Sequence, residues 1–369
     1  MHLVSRNLIV LVAAICLPLS AAGYSLTHIH HKASIAFGAS LEQWHAQPVW
    51  QSVLAQKPQV FMFLGDNVYT DAEPYLSTEL PERINKAYRD LGKVKELQRF
   101  GMAKAIDVFA TWNDHDYGED GGNANFPYLT ESRRYFAEFF GLELDSIGDT
   151  EERGIFHAQY RDIGGLRVQF LMLDTRSYRS SLAKQLQPST CEPIANTAAG
   201  ATILGEEQWK WLWKEFKKPA DLRIIASSIQ VLPTEHCDDK WANFPNERQR
   251  LFDLLKTSGV NGAIIVSGDR QLAEISKLDG VLAYPLYEIT ASGLNSALGA
   301  NSPAAVEPNG LRTTANNFPI DNFGSIQIER QGDDALLQLQ LHDVKGAVLE
   351  EIKLMVSELS VPKQVPLNE

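Results

Sequence analysis

The sequence predicts one α/β domain over residues 33–355, and three observations predict it. Apolar runs of strand length alternate with amphipathic helical stretches, which is the α/β signature. The chain has 369 residues, 44% of them apolar, enough to bury a large core without cross-links. No internal repeat and no low-complexity linker marks a domain boundary.

Taken in order, residues 1–22 read as a secretory signal. Arg6 precedes an apolar run from Leu8 to Leu19, and the small residues Ser20, Ala21, Ala22 and Gly23 follow. Cleavage is expected near Ala22, which places the mature protein in the periplasm or outside the cell. Lipid attachment at Cys16 is disfavoured, because Ile15 is a poor residue before such a site and the apolar run would be cut short. No later segment has the length needed to cross a bilayer, so the mature chain is expected to carry no transmembrane segment.

Strand-like runs then occur at Ser34 to Phe37, Val60 to Leu64, Val108 to Trp112, Val168 to Leu173, Leu222 to Ala226 and Ala263 to Val266. Between them, Tyr135, Phe136, Phe139 and Phe140 repeat at helical spacing, as do Trp209, Leu212, Trp213 and Phe216, and all eight are expected in the core. Gly118 to Pro127, Pro188 to Gly200 and Asn301 to Asn317 read as exposed loops. From Phe323 onward, period-two alternation (Ile326, Ile328; Leu337, Leu339, Leu341) predicts closing strands, followed by a polar tail over residues 356–369. Cys191 and Cys237 are expected to be bridged in an oxidising compartment.

Formal charge is 34 − 46 = −12, with no basic run, so the footprint of a nucleic-acid binder is missing. An acidic balance suits clustered carboxylates that hold cations. Four strand-like runs end in polar clusters: Phe37-Gly38-Ala39-Ser40, Leu64-Gly65-Asp66-Asn67-Val68-Tyr69-Thr70-Asp71, Trp112-Asn113-Asp114-His115-Asp116 and Ser267-Gly268-Asp269-Arg270-Gln271. Sites in open α/β sheets form outside the carboxyl ends of strands, so these clusters are expected to converge. Carboxylates from Asp66, Asp114 and Asp269, a phenol from Tyr69 and an imidazole from His115 suit Fe(III), Ca or Mn better than a structural zinc. Glu274 and Glu288 read as structural.

With these clusters the chain resembles the alkaline phosphatase D-like branch of the metallophosphoesterases. The resemblance is carried, in order, by LGDNVYTD, TWNDHDYGEDGG, LDTRSYRS, LGEEQWKWL, ASSIQ, WANFPNERQRL, SGDRQLAEIS and YPLYEITASGLN between Leu64 and Asn295. It implies a four-layer αββα sandwich, a centre of two or more metal ions with Ca and Fe the expected metals, and hydrolysis of phosphate mono- or diesters. Asp66 would bridge the metals, Tyr69 would give a phenolate to iron, and Asp114 and Asp269 would complete the site. His115 would contact the phosphate or protonate the leaving group, and Arg176 and Arg270 would either hold phosphate oxygens or pair with the surrounding carboxylates. Two ligand positions depart from the family pattern: Ser40 stands where a thiolate is usual and Gln271 where an imidazole is usual. Asn113 replaces a frequent Asp, and the loop after Gly118 is one residue short. A hydroxyl and an amide are weak ligands for iron, which opens the site to Mg or Mn. The resemblance implies a phosphorylated small molecule, lipid or polymer as substrate. A member that binds such a ligand without turnover is the alternative, and no oligomeric state follows.

Overall fold

The computed structural model describes residues 32–102, 105–143, 154–183 and 194–361. Its frame is two six-stranded sheets. The first runs in the order β12-β11-β10-β1-β2-β3, built from β1 (Lys32–Gly38), β2 (Val60–Leu64), β3 (Asp107–Thr111), β10 (Asn322–Gln331), β11 (Asp334–Asp343) and β12 (Val348–Met355). The second runs β4-β5-β6-β7-β9-β8, built from β4 (His157–Ile163), β5 (Leu166–Met172), β6 (Leu222–Ser227), β7 (Ala263–Ser267), β8 (Ala273–Leu278) and β9 (Leu286–Ala291).

Period-two geometry makes these sheets a sandwich with helices outside. In β2, Val60, Met62 and Leu64 join the core between the sheets, while Phe61 and Phe63 join a second core under the helices α1 (Val49–Ala55), α2 (Glu82–Leu91), α3 (Lys95–Gly101) and α5 (Leu129–Phe140). In β5, Phe170 meets Phe109 of β3 with ring centroids 5.1 Å apart, while the adjacent Gln169 points the other way and donates to the Glu215 carbonyl of α6 (Gly205–Phe216) at 3.0 Å. With α7 (Pro245–Thr257), α6 forms the fourth layer, so the expected αββα order is what the chain adopts.

All six strand-like runs became strands within one or two residues of their expected ends. Four strands carried little sequence signal: β4, β8, β9 and β12 mix polar residues into both faces. Trp213 is a correction to the expected core, being 47% exposed with the Lys217 ammonium 3.1 Å above its ring. The loop after Gly118 is also less exposed than expected, since Phe126 is buried against Tyr117. Leu359, placed by the sequence in a polar tail, is fully buried, and its carbonyl accepts the Gly262 N–H at 2.6 Å. Cys237 is disulfide-bonded; Cys191, its expected partner, lies outside the described residues, as does the whole leader. Among the described residues, no helix is long and apolar enough to cross a membrane.

Candidate metal centre

Strands β1, β2 and β3 are parallel to one another, as are β5, β6, β7 and β9, so their carboxyl ends gather at one rim of the sandwich. The rim is stitched by Ser40 N donating to the Gly65 carbonyl at 3.2 Å and by a bridge between Ala39 and Ser292. Two glycines make this closeness possible. A Cβ on Gly65, whose φ is +105°, would sit 2.6 Å from Asn113 Cβ, and one on Gly268 would sit 2.6 Å from Ala39 Cβ. Five non-glycine residues among those described have positive φ, and four of them are Ser40 (61°), Asp66 (50°), Asp269 (72°) and Gln271 (52°). Backbone held in this region costs about 1–3 kcal/mol per residue and persists where the surroundings enforce it. Here it aims candidate ligands at one point.

Asp66, Asp114 and His115 each bring a ligand atom within 4.8 Å of the others. Asp114 opens the short helix α4 (Asp114–Tyr117), which directly follows β3. Asp66 and Asp114 are buried, and Oδ1 of each has no hydrogen-bond partner. A buried carboxylate oxygen left without a donor costs free energy that a cation offsets. His115 Nδ1 pairs with Asp71 Oδ1 at 2.7 Å, which leaves Nε2 for the cavity, and its ring packs on Tyr69 with centroids 4.3 Å apart.

Asp269 and Arg176 meet this group through Asn113. Asn113 Nδ2 donates to Asp269 Oδ1 at 2.7 Å and to Asp66 Oδ2 at 3.3 Å, while its Oδ1 accepts from Arg176 Nε at 2.9 Å. An amide does both jobs; a carboxylate in its place would add a further negative charge. Arg176 is fully buried, does not line the cavity, and is held by Asn113 and by Asp239 at 3.0 Å, so of the two roles open to it, holding phosphate or pairing with carboxylates, it takes the second, as a counter-charge behind the site. Arg270 does line the cavity, and its guanidinium is spanned by Asp238 and Glu307.

Ser40, Tyr69 and Gln271 are also brought together, but as a hydrogen-bonded set. Ser40 Oγ pairs with Ser292 Oγ at 2.8 Å, and that same oxygen accepts the Gln271 backbone N–H at 2.9 Å. Gln271 Nε2 donates to Tyr69 Oη at 3.1 Å and to Ser296 Oγ at 3.2 Å. Glu274 and Glu288 are structural as expected. Glu274 pairs with Arg312 at 2.6 Å, and Glu288 accepts the Val231 and Leu232 backbone N–H groups.

The charges are crowded. Burial, then the neighbouring Asp114 and Asp269, push the Asp66 carboxyl well above its ordinary range, with His115 opposing. Burial and the charges of Asp114 and Asp239 raise Asp269 to about 7. Burial would raise Asp114 too, but Arg176, His115 and the Gly121 N–H hold it well below the usual range. Burial works against charging His115, yet the Asp71 hydrogen bond and the charges of Asp66 and Asp114 raise it to about 11. A bound cation reverses the upward shifts of the carboxylates by supplying the missing positive charge.

Above the cluster lies a cavity of about 1020 Å³ lined by Asp66, Asp114, Glu119, Asp120, Asp238, Asp239, Asp269 and Glu307, with Arg270 the one arginine among its lining residues. Sequence reasoning missed three supports, the first being Asp71 behind His115. Asp116, fully buried, accepts the backbone N–H groups of Asp66 (3.0 Å), Asn67 (3.1 Å) and Asn113 (2.7 Å), tying the loops after β2 and β3 together. Asp239 neutralises Arg176 and Arg179 from the loop before α7. Asp116 and Asp71 sit within the quoted motifs, where the density of acids hid which one did what.

Comparison with known proteins agrees with this geometry. Alkaline phosphatase D of Bacillus subtilis (strain 168) is 24% identical over 196 residues, 47% of this chain, and the match spans only 32% of that relative's length. A solved structure of PhoD superposes with a TM-score of 0.64 at 16% identity, covering 87% of this chain and 68% of that one, which supports the fold alone. The family described as PhoD-like phosphatase matches residues 36–335. With a match over most of its length and the αββα frame in place, the chain belongs to the PhoD-like phosphatase family.

Proposed function

We propose that the protein is an exported, metal-dependent phosphoesterase that hydrolyses phosphate mono- or diesters. Membership of a phosphatase family implies a phosphoesterase. The observation that carries the finer reading is a pair of buried oxygens without a hydrogen-bond donor at the floor of an acid-lined cavity: Asp66 Oδ1, and Asp114 Oδ1, which has only the more distant Arg176 guanidinium at 3.7 Å. Eight carboxylates repel a phosphate unless a cation stands between them. Asp66 and Asp114 would hold a hard oxygen-loving cation such as Ca, Mg or Mn. When bound, such an ion activates water and neutralises charge developing on the phosphoryl oxygens.

The chain's own groups do the rest. His115 presents Nε2 to the cavity and protonates the leaving oxygen, while Asp71 fixes its tautomer and ring orientation. Arg270 lines the wall where the remainder of a substrate would lie. The substrate is a phosphorylated small molecule, lipid or polymer met outside the cytoplasm, in keeping with the leader-like residues 1–22. The test is hydrolysis of aryl phosphate mono- and diesters by metal-stripped protein before and after addition of Ca, Mg or Mn. Activity that is absent when stripped and returns with metal supports the reading; none under any metal rejects it. A second reading, a phospholigand-binding member without turnover, is favoured by the hydrogen-bonded state of Ser40 and Gln271.

A further inference from the structure

We propose that this site takes a single cation, at its Asp66–Asp114 end, and that the Ser40–Tyr69–Gln271 end is a hydrogen-bonded wall closed to metal. The proposal rests on the metal-dependent reading above.

The two ends differ in what their polar atoms are doing. At the first, two buried carboxylate oxygens have no donor, and a third polar group, His115, lies within 4.8 Å. At the second, Ser40 Oγ, Ser292 Oγ and Tyr69 Oη each already have a hydrogen-bond partner. Ser40 is fully buried and does not line the cavity, so its oxygen is not open to an ion entering from above. To bind metal there, the Ser40–Ser292 and Gln271–Tyr69 bonds would have to break. In return the ion would gain a neutral hydroxyl and an amide, both weak donors.

Charge points the same way. The negative groups around the first end are Asp66, Asp114 and Asp269, partly balanced by Arg176, which lies 3.7 Å from both Asp114 and Asp269. The second end supplies hydroxyls and an amide, and the carboxylate that reaches it, Glu42, is already engaged by Ser296 Oγ at 3.0 Å and His45 Nδ1 at 2.5 Å. That end shares only Asp66, whose Oδ2 already accepts from Asn113, so a single free oxygen remains to be given. A second multivalent ion a few ångströms from the first would meet strong repulsion in a buried setting, with no unengaged carboxylate beside it to offset that repulsion.

The experiment is metal counting on the purified full chain, stripped with chelator, loaded with Ca(II), Mn(II) or Fe(III) salts and desalted. One equivalent is expected for wild type and none for Asp66→Ala. Tyr69→Phe is expected to retain one equivalent with an affinity within about threefold of wild type. Fe(III)-loaded wild type should show no tyrosinate-to-iron charge-transfer band in the visible spectrum. Two equivalents, none, a tenfold loss of affinity in Tyr69→Phe, or a visible band that this variant removes would each overturn the proposal. Parallel phosphoester assays keep the two readings apart: one equivalent without hydrolysis defeats the enzymatic reading alone, and two equivalents with hydrolysis defeats this one alone.

Discussion

At the scale of single residues, the site is a set of polar atoms whose roles follow from their partners. Asp71 touches His115 and no other candidate ligand, so it acts through the imidazole. Asp71→Asn should lower kcat about 10–100-fold with little change in KM, and the loss should be larger for alkyl than for aryl phosphates, because a poor leaving group needs the proton more. Steady-state kinetics on the two ester classes checks it; equal losses would assign Asp71 a merely structural part. His115→Ala should cost about 10²–10⁴-fold, the usual worth of a positioned proton donor. Ser40→Cys combined with Gln271→His should convert the closed wall into a second metal position, since both new side chains are strong donors. An added metal equivalent in the double variant is the expected readout.

At the scale of elements, the site depends on loops held in unfavourable backbone conformations by their neighbours. Asp116 is the knot between the loops after β2 and β3. Asp116→Ala leaves three backbone donors without their acceptor, at about 1–3 kcal/mol each where water cannot reach. We expect a clear fall in melting temperature and, in the fraction that folds, metal affinity weakened by about 10–100-fold, because Asp66 and Asp114 lose their common anchor. Gly65→Ala should destabilise by about 2 kcal/mol or more, from the positive φ and the 2.6 Å overlap with Asn113 Cβ. Chemical denaturation measures it; a neutral result would mean that the rim is more yielding than the packing implies.

At the scale of the whole molecule, stability rests on the core between the sheets and on a few buried charges inside it. Phe170→Ala empties a position fully buried against Phe109 and should cost about 3–5 kcal/mol. Glu288, fully buried in β9, has its carboxyl raised to about 7, chiefly by burial. A carboxyl with a folded pKa above its unfolded value binds more protons when folded. Its contribution is therefore complete below about 4.5 and is lost as pH rises through about 7, a change on the order of 3 kcal/mol. Glu288→Gln should flatten that part of the stability–pH curve, even though the amide matches the Val231 and Leu232 donors less well and lowers stability throughout. Denaturation midpoints between pH 4.5 and 8 test the slope.

The sequence by itself determined an α/β domain, the αββα order through its family resemblance, the rim where the chemistry lies and the identity of the acids there. Buried parallel strands read as unbroken apolar runs, and chain geometry then delivers whatever follows them to one edge. It did not reveal β4, β8, β9 or β12, whose polar side chains find partners far away in the chain, as Glu274 of β8 does in Arg312 and Glu288 of β9 in the Val231 and Leu232 N–H groups. Nor could it separate Arg176 from Arg270: both follow strands in acid-rich motifs, and only packing decided that one is sealed behind Asn113 and the other faces the cavity. The state of Ser40, Tyr69 and Gln271 was likewise decided by tertiary structure. Whether a hydroxyl or amide stands ready for a metal or is already satisfied depends on partners from Ser292 and Ser296, up to 252 residues away in the chain, and local sequence carries no record of that pairing.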